Sequence, residues 1–465
     1  MNDAAGVRLH IVVLAAGKGK RMRSARPKVL HEIAGRSMLA HCLDTAEALD
    51  PATIRVVIGH QGEAVRASQA GREVEWVWQH EQNGTGHAVQ QGIQGLAAGA
   101  NDRVLVLYAD VPLLDATTLQ RLANIEAAVS LLTVHMDDPS GYGRIMRDDM
   151  GRVYRIVEQN DATEAERRVQ EVNTGILMAP VGDLSRWLGQ LESGNAQGEL
   201  YLTDIIEMAA YEGQTVEAVI ADDPWSVTGV NDRLALSRLE RIYQQRQAEE
   251  LALAGATVAD PARLDIRGKL ECGADVSIDV GCVFEGQVRL GDNVRIGPHC
   301  VLRDCEIGPG STVEAFSHID GAVTAGDNRI GPYARLRPTA TLGTAARIGN
   351  FVEVKAARIG ARSKVNHLSY LGDAQVGEDS NLGAGTITCN YDGANKHQTR
   401  IGDRVFVGSA TQLVAPVTIG RDATIGAGST ITRDVGEGRL AVARARQKEV
   451  SGWQRPQKKG DQAGS

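Results

Sequence analysis

The second half of this 465-residue chain repeats every six residues. Aliphatic side chains stand at Leu290, Ile296 and Leu302, then at Ile330, Leu336, Leu342, Ile348 and Val354, and again at Ile401, Val407, Leu413, Ile419, Ile425 and Ile431. Glycine often follows, as at Gly291, Gly297, Gly331, Gly343, Gly349, Gly402, Gly420 and Gly426. A period of six fits neither a 3.6-residue helix nor a hairpin meander. It fits a chain that turns a corner every six residues and stacks coil on coil, a parallel β-helix. The interior of such a prism is narrow and takes Val, Ile, Leu and Ala, in keeping with an aromatic content of only 4%. At about 4.8 Å per coil, roughly nine coils make a prism about 45 Å long. The beat is expected from about Leu264 to about Arg433. It shortens by one residue from Leu302 to Ile307, from Val354 to Ile359 and from Leu371 to Val376, places expected to be corners. It breaks once, between Leu382 and Ile401, where the polar stretch 386–400 is too long for a corner. Loops thrown out of a repeat scaffold often line its binding face.

The first half has a different rhythm. Residues 11–16, 54–58 and 103–108 are short apolar runs, read as buried parallel strands. Residues 38–48 and 117–127 read as helices between them, so the alternation predicts a doubly wound α/β sheet. Ligands on such sheets sit beyond the carboxyl ends of the strands. Residues 231–254 lack Gly and Pro, carry Leu234, Leu236, Leu239, Ile242 and Leu251, and are bracketed by Gly229 and Gly255. They predict one long linker helix. The expected division is therefore 1–230, a helical linker 231–254, and 255–465 with a tail made basic by Arg446, Lys448, Arg455, Lys458 and Lys459.

Net charge is −8, which argues against broad nucleic-acid binding. Six cysteines without a CxxC pair read as reduced thiols of a cytoplasmic protein, with Cys389 a small packed residue. The run 11–16 is too short to span a bilayer, so no membrane insertion is expected.

After the first strand comes Leu14-Ala-Ala-Gly-Lys-Gly-Lys-Arg-Met-Arg-Ser, and soon Pro27-Lys28. Small residues let backbone N–H groups approach phosphate oxygens, and Arg21 and Lys28 add charge. The spacing is not that of a Walker A loop, and Met22 stands where the dinucleotide fingerprint needs a third Gly. Alone, the string fits a phosphate cradle or a plain turn. Asp110 ends the third buried strand, where an Asp can hold Mg²⁺ or cap a helix. Asn231 fits a metal-side ligand, a cap for the long helix, or both.

The string resembles the signature of the nucleotidyltransferases that make nucleotide sugars, Leu-x-x-Gly-x-Gly-Thr-x-Met followed by Pro-Lys. Lys20 stands where Thr is usual, and Ala109 where Gly is usual. The resemblance implies that Leu14, Ala15, Ala16, Gly17 and Lys28 cradle UTP, with Tyr108 and Ala109 beside the nucleotide. It implies that Gln79, Gly84 and Thr85 read the uracil, and that Gly143, Glu158 and Asn173 form a sugar pocket. Asp110 and Asn231 would hold Mg²⁺. The stretch 196–204 is similar to a further family segment, with Leu200 where Tyr is commoner.

In the repeats, Val365-Asn-His-Leu-Ser-Tyr-Leu-Gly372 sets His367 and Tyr370 near one corner, and 383–393 opens the break. A lone His there fits a solvated residue or a catalyst. These strings resemble the hexapeptide acyltransferases. Over about 8–455 the chain resembles the bacterial bifunctional enzymes that acetylate glucosamine 1-phosphate and then transfer UMP to N-acetylglucosamine 1-phosphate. Their product is UDP-N-acetylglucosamine, a precursor for cell wall and lipopolysaccharide.

The resemblance implies His367 as general base, Arg337 and Lys355 as phosphate holders, and Tyr370 and Asn381 as sugar contacts. It places Ala384, Asn390, Tyr391, Ser409, Ala427 and Arg444 at acetyl-CoA, with Ser409 at the thioester oxygen. It also implies a Rossmann-like first domain, a left-handed β-helix of three hexads per coil, and a homotrimer with the acetyl site between subunits. A purely regulatory β-helix would not need the 365–372 and 383–393 strings. A non-enzymatic module would not need Lys28, Asp110 and Asn231, and His299, His318, His367 and His397 lack the grouping of a zinc site.

Overall fold

A computed structural model of the chain describes residues 6–456, so Lys458 and Lys459 of the basic tail lie outside the described residues. The chain divides into two compact units, residues 1–249 with 266–268, and residues 250–265 with 269–465.

The first unit is built on a sheet whose main path runs Val216–Ile220, Val129–His135, Glu171–Pro180, Arg103–Tyr108, Leu9–Leu14, Thr53–Ile58, Glu75–Trp78. The three runs read as parallel strands pair in parallel, with Val13 opposite Val56 on one side and Leu107 on the other. The sheet is nonetheless mixed. Glu171–Pro180 runs antiparallel to both its neighbours, after the hairpin of Arg144–Arg147 and Val153–Val157 has reversed the chain. Strand alternation explains the continuous apolar runs. Ile11 and Val13 enter one core layer with Leu39, Leu43 and Leu107, while Val12 enters the other with Val104, Val106, Trp187 and Ile205. Each such fully buried side chain contributes about 1.5–3 kcal/mol.

Helices form at Met38–Glu47 and Ala116–Ala123. Ser37 Oγ caps the first by accepting from the Ala40 amide at 3.2 Å, and Asp115 Oδ1 caps the second from the Thr118 amide at 2.8 Å. Strand Leu9–Leu14 is followed in space by Thr53–Ile58 on one side and by Arg103–Tyr108 on the other. The winding reverses there, and a crevice opens beyond Leu14 and Tyr108.

The segment expected as a linker is the helix Arg233–Leu253. It packs onto the first unit. Leu239 is fully buried with Met22, Ile33, Met38, Leu113 and Val230. The buried Gln244 side chain imitates a peptide, accepting from the Ile266 amide at 2.6 Å and donating to the Ile266 carbonyl at 2.9 Å. Leu234 and Leu253 of the same helix are exposed. Among the described residues no helix is long and apolar enough to cross a membrane.

The second unit is a parallel β-helix. One ladder stacks eleven strands, from Thr257–Val258 to Leu440–Ala441, so the coil begins earlier, ends later and has more turns than the hexads alone predict. Its rungs follow the beat, with Ile348 opposite Val365 and Val365 opposite Leu382. The other two ladders join through the long strand Val301–Ile307, which meets His318–Asp320 and Val323–Thr324 at its two ends.

The expected break at 386–400 is shorter than predicted. Ile387–Cys389 is a strand paired with Tyr370–Gly372 and Gln412–Val414, so only residues 390–398 leave the coil. Thr388 keeps the beat, six residues after Leu382 and opposite Leu413. Its fully buried hydroxyl accepts from the Gly372 amide at 2.8 Å and donates to the Gly372 carbonyl at 3.0 Å. That satisfaction removes the cost of a polar group in an aliphatic interior.

Outside the prism, His299, Phe316, Tyr333 and Phe351 occupy successive corners with φ of 58°, 60°, 56° and 57°. Such left-handed backbone costs a non-glycine residue roughly 1–2 kcal/mol. The rings stack at centroid spacings of 5.2, 5.0 and 5.4 Å, which returns about 0.5–1.5 kcal/mol per pair.

Candidate active sites

A cavity of about 440 Å³ occupies the crevice of the first unit. Leu14, Ala15, Ala16, Gly17 and Lys28 line one wall, Gln79, Gly84 and Thr85 another, and Tyr108 and Asp110 the strand end. Ala109 is fully buried and serves through its backbone, donating to the Leu14 carbonyl at 3.1 Å. Two glycines are needed for space. A Cβ on Gly19, at φ 57°, would lie 2.6 Å from Lys28 Cβ, and one on Gly84, at φ 107°, would lie 2.5 Å from the Leu200 carbonyl. Gln79 is buried and holds the turn, its Nε2 donating to the Gly84 carbonyl at 3.2 Å. Lys18, Gln82 and Glu199 also line the cavity; Lys18 and Glu199 fall inside the 14–24 and 196–204 strings without a role of their own there, and no pattern marks Gln82. Lys20, the residue standing where Thr is usual, lines it too.

The electrostatic centre is a cluster at Lys28. Its ammonium is paired with Asp110 Oδ2 and donates to Asn231 Oδ1 at 3.1 Å. Arg21 Nη2 donates to the same Asn231 oxygen at 2.9 Å. The Val230 amide donates to the Asp110 carbonyl at 2.8 Å and ties the two segments together. Asp232 Oδ1, not Asn231, accepts from the Ala235 amide at the start of the long helix, at 2.9 Å. Asn231 is thereby left to face Lys28. Two hard oxygens converging on one cation suit Mg²⁺, which takes few protein ligands and keeps phosphate and water oxygens. Among the described residues there is no group of three His, Cys, Asp or Glu side chains able to hold a metal.

Gly143, Glu158 and Asn173 do not line this cavity but gather beside it. The Asn173 amide donates to the Gly143 carbonyl at 2.8 Å, and a Cβ on Gly143 would lie 3.4 Å from Glu158 Oε1. Asn173 Oδ1 accepts from the Gly175 amide at 3.0 Å. Gly175 supports the Tyr108 ring, which a Cβ there would meet at 2.6 Å. Burial pushes the Tyr108 phenol and the Glu158 carboxyl above their usual ranges, although Thr203 Oγ1 donates to Glu158 Oε1 at 3.1 Å. Glu158 also faces a second cavity of about 320 Å³ with Asp161, Tyr201, Asp204 and Glu207. Burial, then the charges of Glu158, Glu207 and Asp161, push Asp204 up to about 6.

In the β-helix, backbone bonds stack Asn350, His367, Ala384, Ser409 and Ala427 in one corner column. Each residue of the column accepts at its carbonyl from the chain above, as when Leu368 donates to Asn350 at 3.0 Å and Gly428 to Ser409 at 2.8 Å. Arg444 Nη1 closes the top by donating to the Ala427 carbonyl at 2.5 Å. His367 is exposed, and its Nδ1 lies 2.8 Å from Asn350 Oδ1. Asn350 was missed because the six-residue pattern does not reveal which residues of successive coils stack.

On the adjoining face, Arg337 Nη1 donates to Glu353 Oε1 at 2.9 Å, and Glu353 is in register with Tyr370. Lys355 is in register with Gly372, over which Tyr370 and Asn390 close, a Cβ on Gly372 lying 2.8 Å from Asn390 Nδ2. Asn390, the first residue of the excursion, donates through Nδ2 to Asp373 Oδ2 at 2.5 Å, and the exposed Tyr391 follows it. Asn390 and Tyr391 thus stand at the next corner, apart from the His367 column. Asn381 is half-buried in the strand between Lys364 and Phe406.

Sequence comparison adds three family profiles. A MobA-like NTP transferase domain matches residues 11–163, a GMPPB C-terminal domain matches 266–359, and the bacterial transferase hexapeptide repeat matches 398–433. The bifunctional protein GlmU of Alkalilimnicola ehrlichii is 56% identical over 454 residues, covering 97% of this chain and 98% of that one. The protein of the same name from Aromatoleum aromaticum is 56% identical over 97% of this chain and 99% of its own. That of Cupriavidus pinatubonensis is 55% identical over 98% of this chain and 100% of its own.

Proposed function

The chain belongs to the family of bifunctional GlmU proteins, and from that premise we propose how its residues divide two reactions. It is an N-acetylglucosamine-1-phosphate uridylyltransferase and a glucosamine-1-phosphate N-acetyltransferase, on an NTP transferase domain followed by a left-handed β-helix of hexapeptide repeats. We assign uridylyl transfer to residues 1–230, acetyl transfer to 255–465, and a linker role to 231–254.

In the first reaction an oxygen of N-acetylglucosamine 1-phosphate attacks the α-phosphorus of UTP. A P–O bond forms, the α–β bridge breaks and pyrophosphate leaves. The nucleophile is already ionised, so the work is charge neutralisation and alignment. Asp110 and Asn231 would hold Mg²⁺, which when bound supplies positive charge to the phosphates. The convergence of both oxygens on the Lys28 ammonium supports that assignment. Lys28, Arg21 and Lys20 neutralise the rest, Leu14–Gly17 present small backbone, and Gln79, Gly84 and Thr85 read the base. Tyr108 and Ala109 bound the nucleotide, and Gly143, Glu158 and Asn173 receive the sugar.

In the second reaction His367 takes a proton from the amine of glucosamine 1-phosphate. The amine attacks the acetyl thioester, a C–N bond forms, the C–S bond breaks and the CoA thiol leaves. Arg337 and Lys355 hold the phosphate, and Tyr370 and Asn381 the sugar. Ala384, Asn390, Tyr391, Ser409, Ala427 and Arg444 hold acetyl-CoA, with Ser409 near the developing oxyanion. The separation of Asn390 and Tyr391 from the His367 column favours a site shared between copies of a homotrimer. So do the exposed Phe316, Tyr333, Phe351 and Leu368 beside that column.

Acetylation precedes uridylylation, in the cytoplasm, and the product feeds cell-wall and lipopolysaccharide precursors. The observation that carries the reading is the pairing of Lys28 with Asp110 and Asn231 at the sheet's switch point. The test supplies glucosamine 1-phosphate, acetyl-CoA, UTP and Mg²⁺, then omits acetyl-CoA or UTP. UDP-sugar formed equally well without acetyl-CoA sinks the sequential order.

A further inference from the structure

Asn350 and His367 are a register pair on the adjacent strands Arg347–Asn350 and Lys364–His367. His367 Nδ1 and Asn350 Oδ1 lie 2.8 Å apart. Resting on the reading of His367 as the base, we propose that Asn350 is a positioning residue that sets the tautomer and aim of that imidazole. A carbonyl oxygen only accepts, so the nitrogen it meets carries the proton. Neutral His367 is then the Nδ1–H tautomer, and its lone pair is on Nε2, the nitrogen turned away from Asn350.

When Nε2 takes a proton from the substrate amine, the ring becomes cationic and the Nδ1–H bond to Asn350 becomes charge-assisted. Asn350 therefore favours the protonated state formed during attack, with no charge of its own. Next in the column above His367 is Ala384, which has no polar side-chain atom to compete. The charged groups on the packed strands are Arg347 below and Lys364 on the same strand, while Asn381–Leu382 above carries none. Around the corner lie Glu353 and Lys355 below, and Tyr370 on the same coil as His367. The His367 ring is exposed, so its hydrogen bond adds little to stability in competition with water. A purely structural role would leave little to measure.

The test uses the full chain with Asn350→Leu, Asn350→Asp and His367→Ala. Asn350→Leu lowers kcat of acetyl transfer about tenfold or more, with KM for glucosamine 1-phosphate within about twofold. Its acidic limb of kcat/KM against pH moves down, because the imidazolium has lost its acceptor. Asn350→Asp keeps the acceptor and adds negative charge, so the limb moves up and kcat recovers above it. Uridylyl transfer, carried by the other compact unit, stays unchanged in both, and the retained KM for glucosamine 1-phosphate reports that the β-helix is folded. Asn350→Leu with unaltered kcat and limb overturns the proposal. So does an equal loss in both variants with no movement of the limb. Acetyl transfer surviving His367→Ala overturns the base reading itself, which is a different outcome from failure at Asn350 alone.

Discussion

The Lys28 ammonium is ion-paired with the Asp110 carboxylate at the carboxyl end of the sheet, although the two residues come from different loops. Asn231 joins them from the start of the long helix. Lys28→Ala and Asp110→Ala should each lower uridylyl transfer by about 10²–10³-fold or more, the usual cost of one preorganised charge partner. Acetyl transfer by the same variants should stay at the parent rate. Paired assays with the two substrate sets read both.

Gly175 supports the Tyr108 ring at φ 84° with no room for a Cβ. Gly175→Ala should destabilise the first unit by about 1–3 kcal/mol and raise KM for the sugar phosphate. Urea unfolding followed by tryptophan fluorescence, with uridylyl kinetics, measures both. An unchanged midpoint would show that the ring moves aside freely.

Thr388→Val should cost about 1–3 kcal/mol, because the buried Gly372 amide loses the hydroxyl it donates to. The substitution restores the aliphatic beat, so a hydropathy argument expects the opposite sign. Equilibrium unfolding decides between them.

Asp204 is pushed up to about 6 from its ordinary 3.8. Between those values the unfolded chain is ionised while the folded one holds its proton. Stability therefore falls as pH rises from about 4 to about 6 and then levels. Asp204→Asn should remove that fall and be more stable at pH 7 by about 1 kcal/mol, after allowance for solvent screening. The difference should vanish below pH 4. A thermal unfolding series across pH 3.5–7.5 tests the sign.

Burial pushes Cys272 and Cys282 up to about 11, and Cys42, Cys300 and Cys305 up to about 12, while Cys389 is raised as well. Little thiolate exists near neutrality. Iodoacetamide at pH 7.5 should label the native chain slowly and all six thiols in denaturant, with mass spectrometry as the readout.

Local patterns carried much of the fold. The six-residue beat determined the coil because each interior position is filled by its own residue type. The apolar runs at 11–16, 54–58 and 103–108 determined three central strands, because a strand buried on both faces is apolar over most of its length, with the buried Arg55 the exception, its guanidinium donating to Glu75 and the Gly92 and Gln94 carbonyls. The glycines at 17 and 19 and Lys28 were legible because backbone approach and charge are local properties. Thr388 was not legible as a core residue, since its burial depends on a partner amide in the neighbouring coil. Nor was the antiparallel Glu171–Pro180, whose direction is set by the hairpin before it.

The sequence by itself determined two scaffolds and most of the residue types suited to phosphate and amine chemistry. Only the tertiary structure decided which of them meet. It turned Asn231 toward Lys28 by letting Asp232 cap the helix, and it stacked Asn350 under His367. It also set Asn390 one corner away from the column that holds Ser409. The physical reason is range. Backbone preference and burial act on neighbours in the chain, whereas these contacts join residues that only register and packing bring within hydrogen-bond reach.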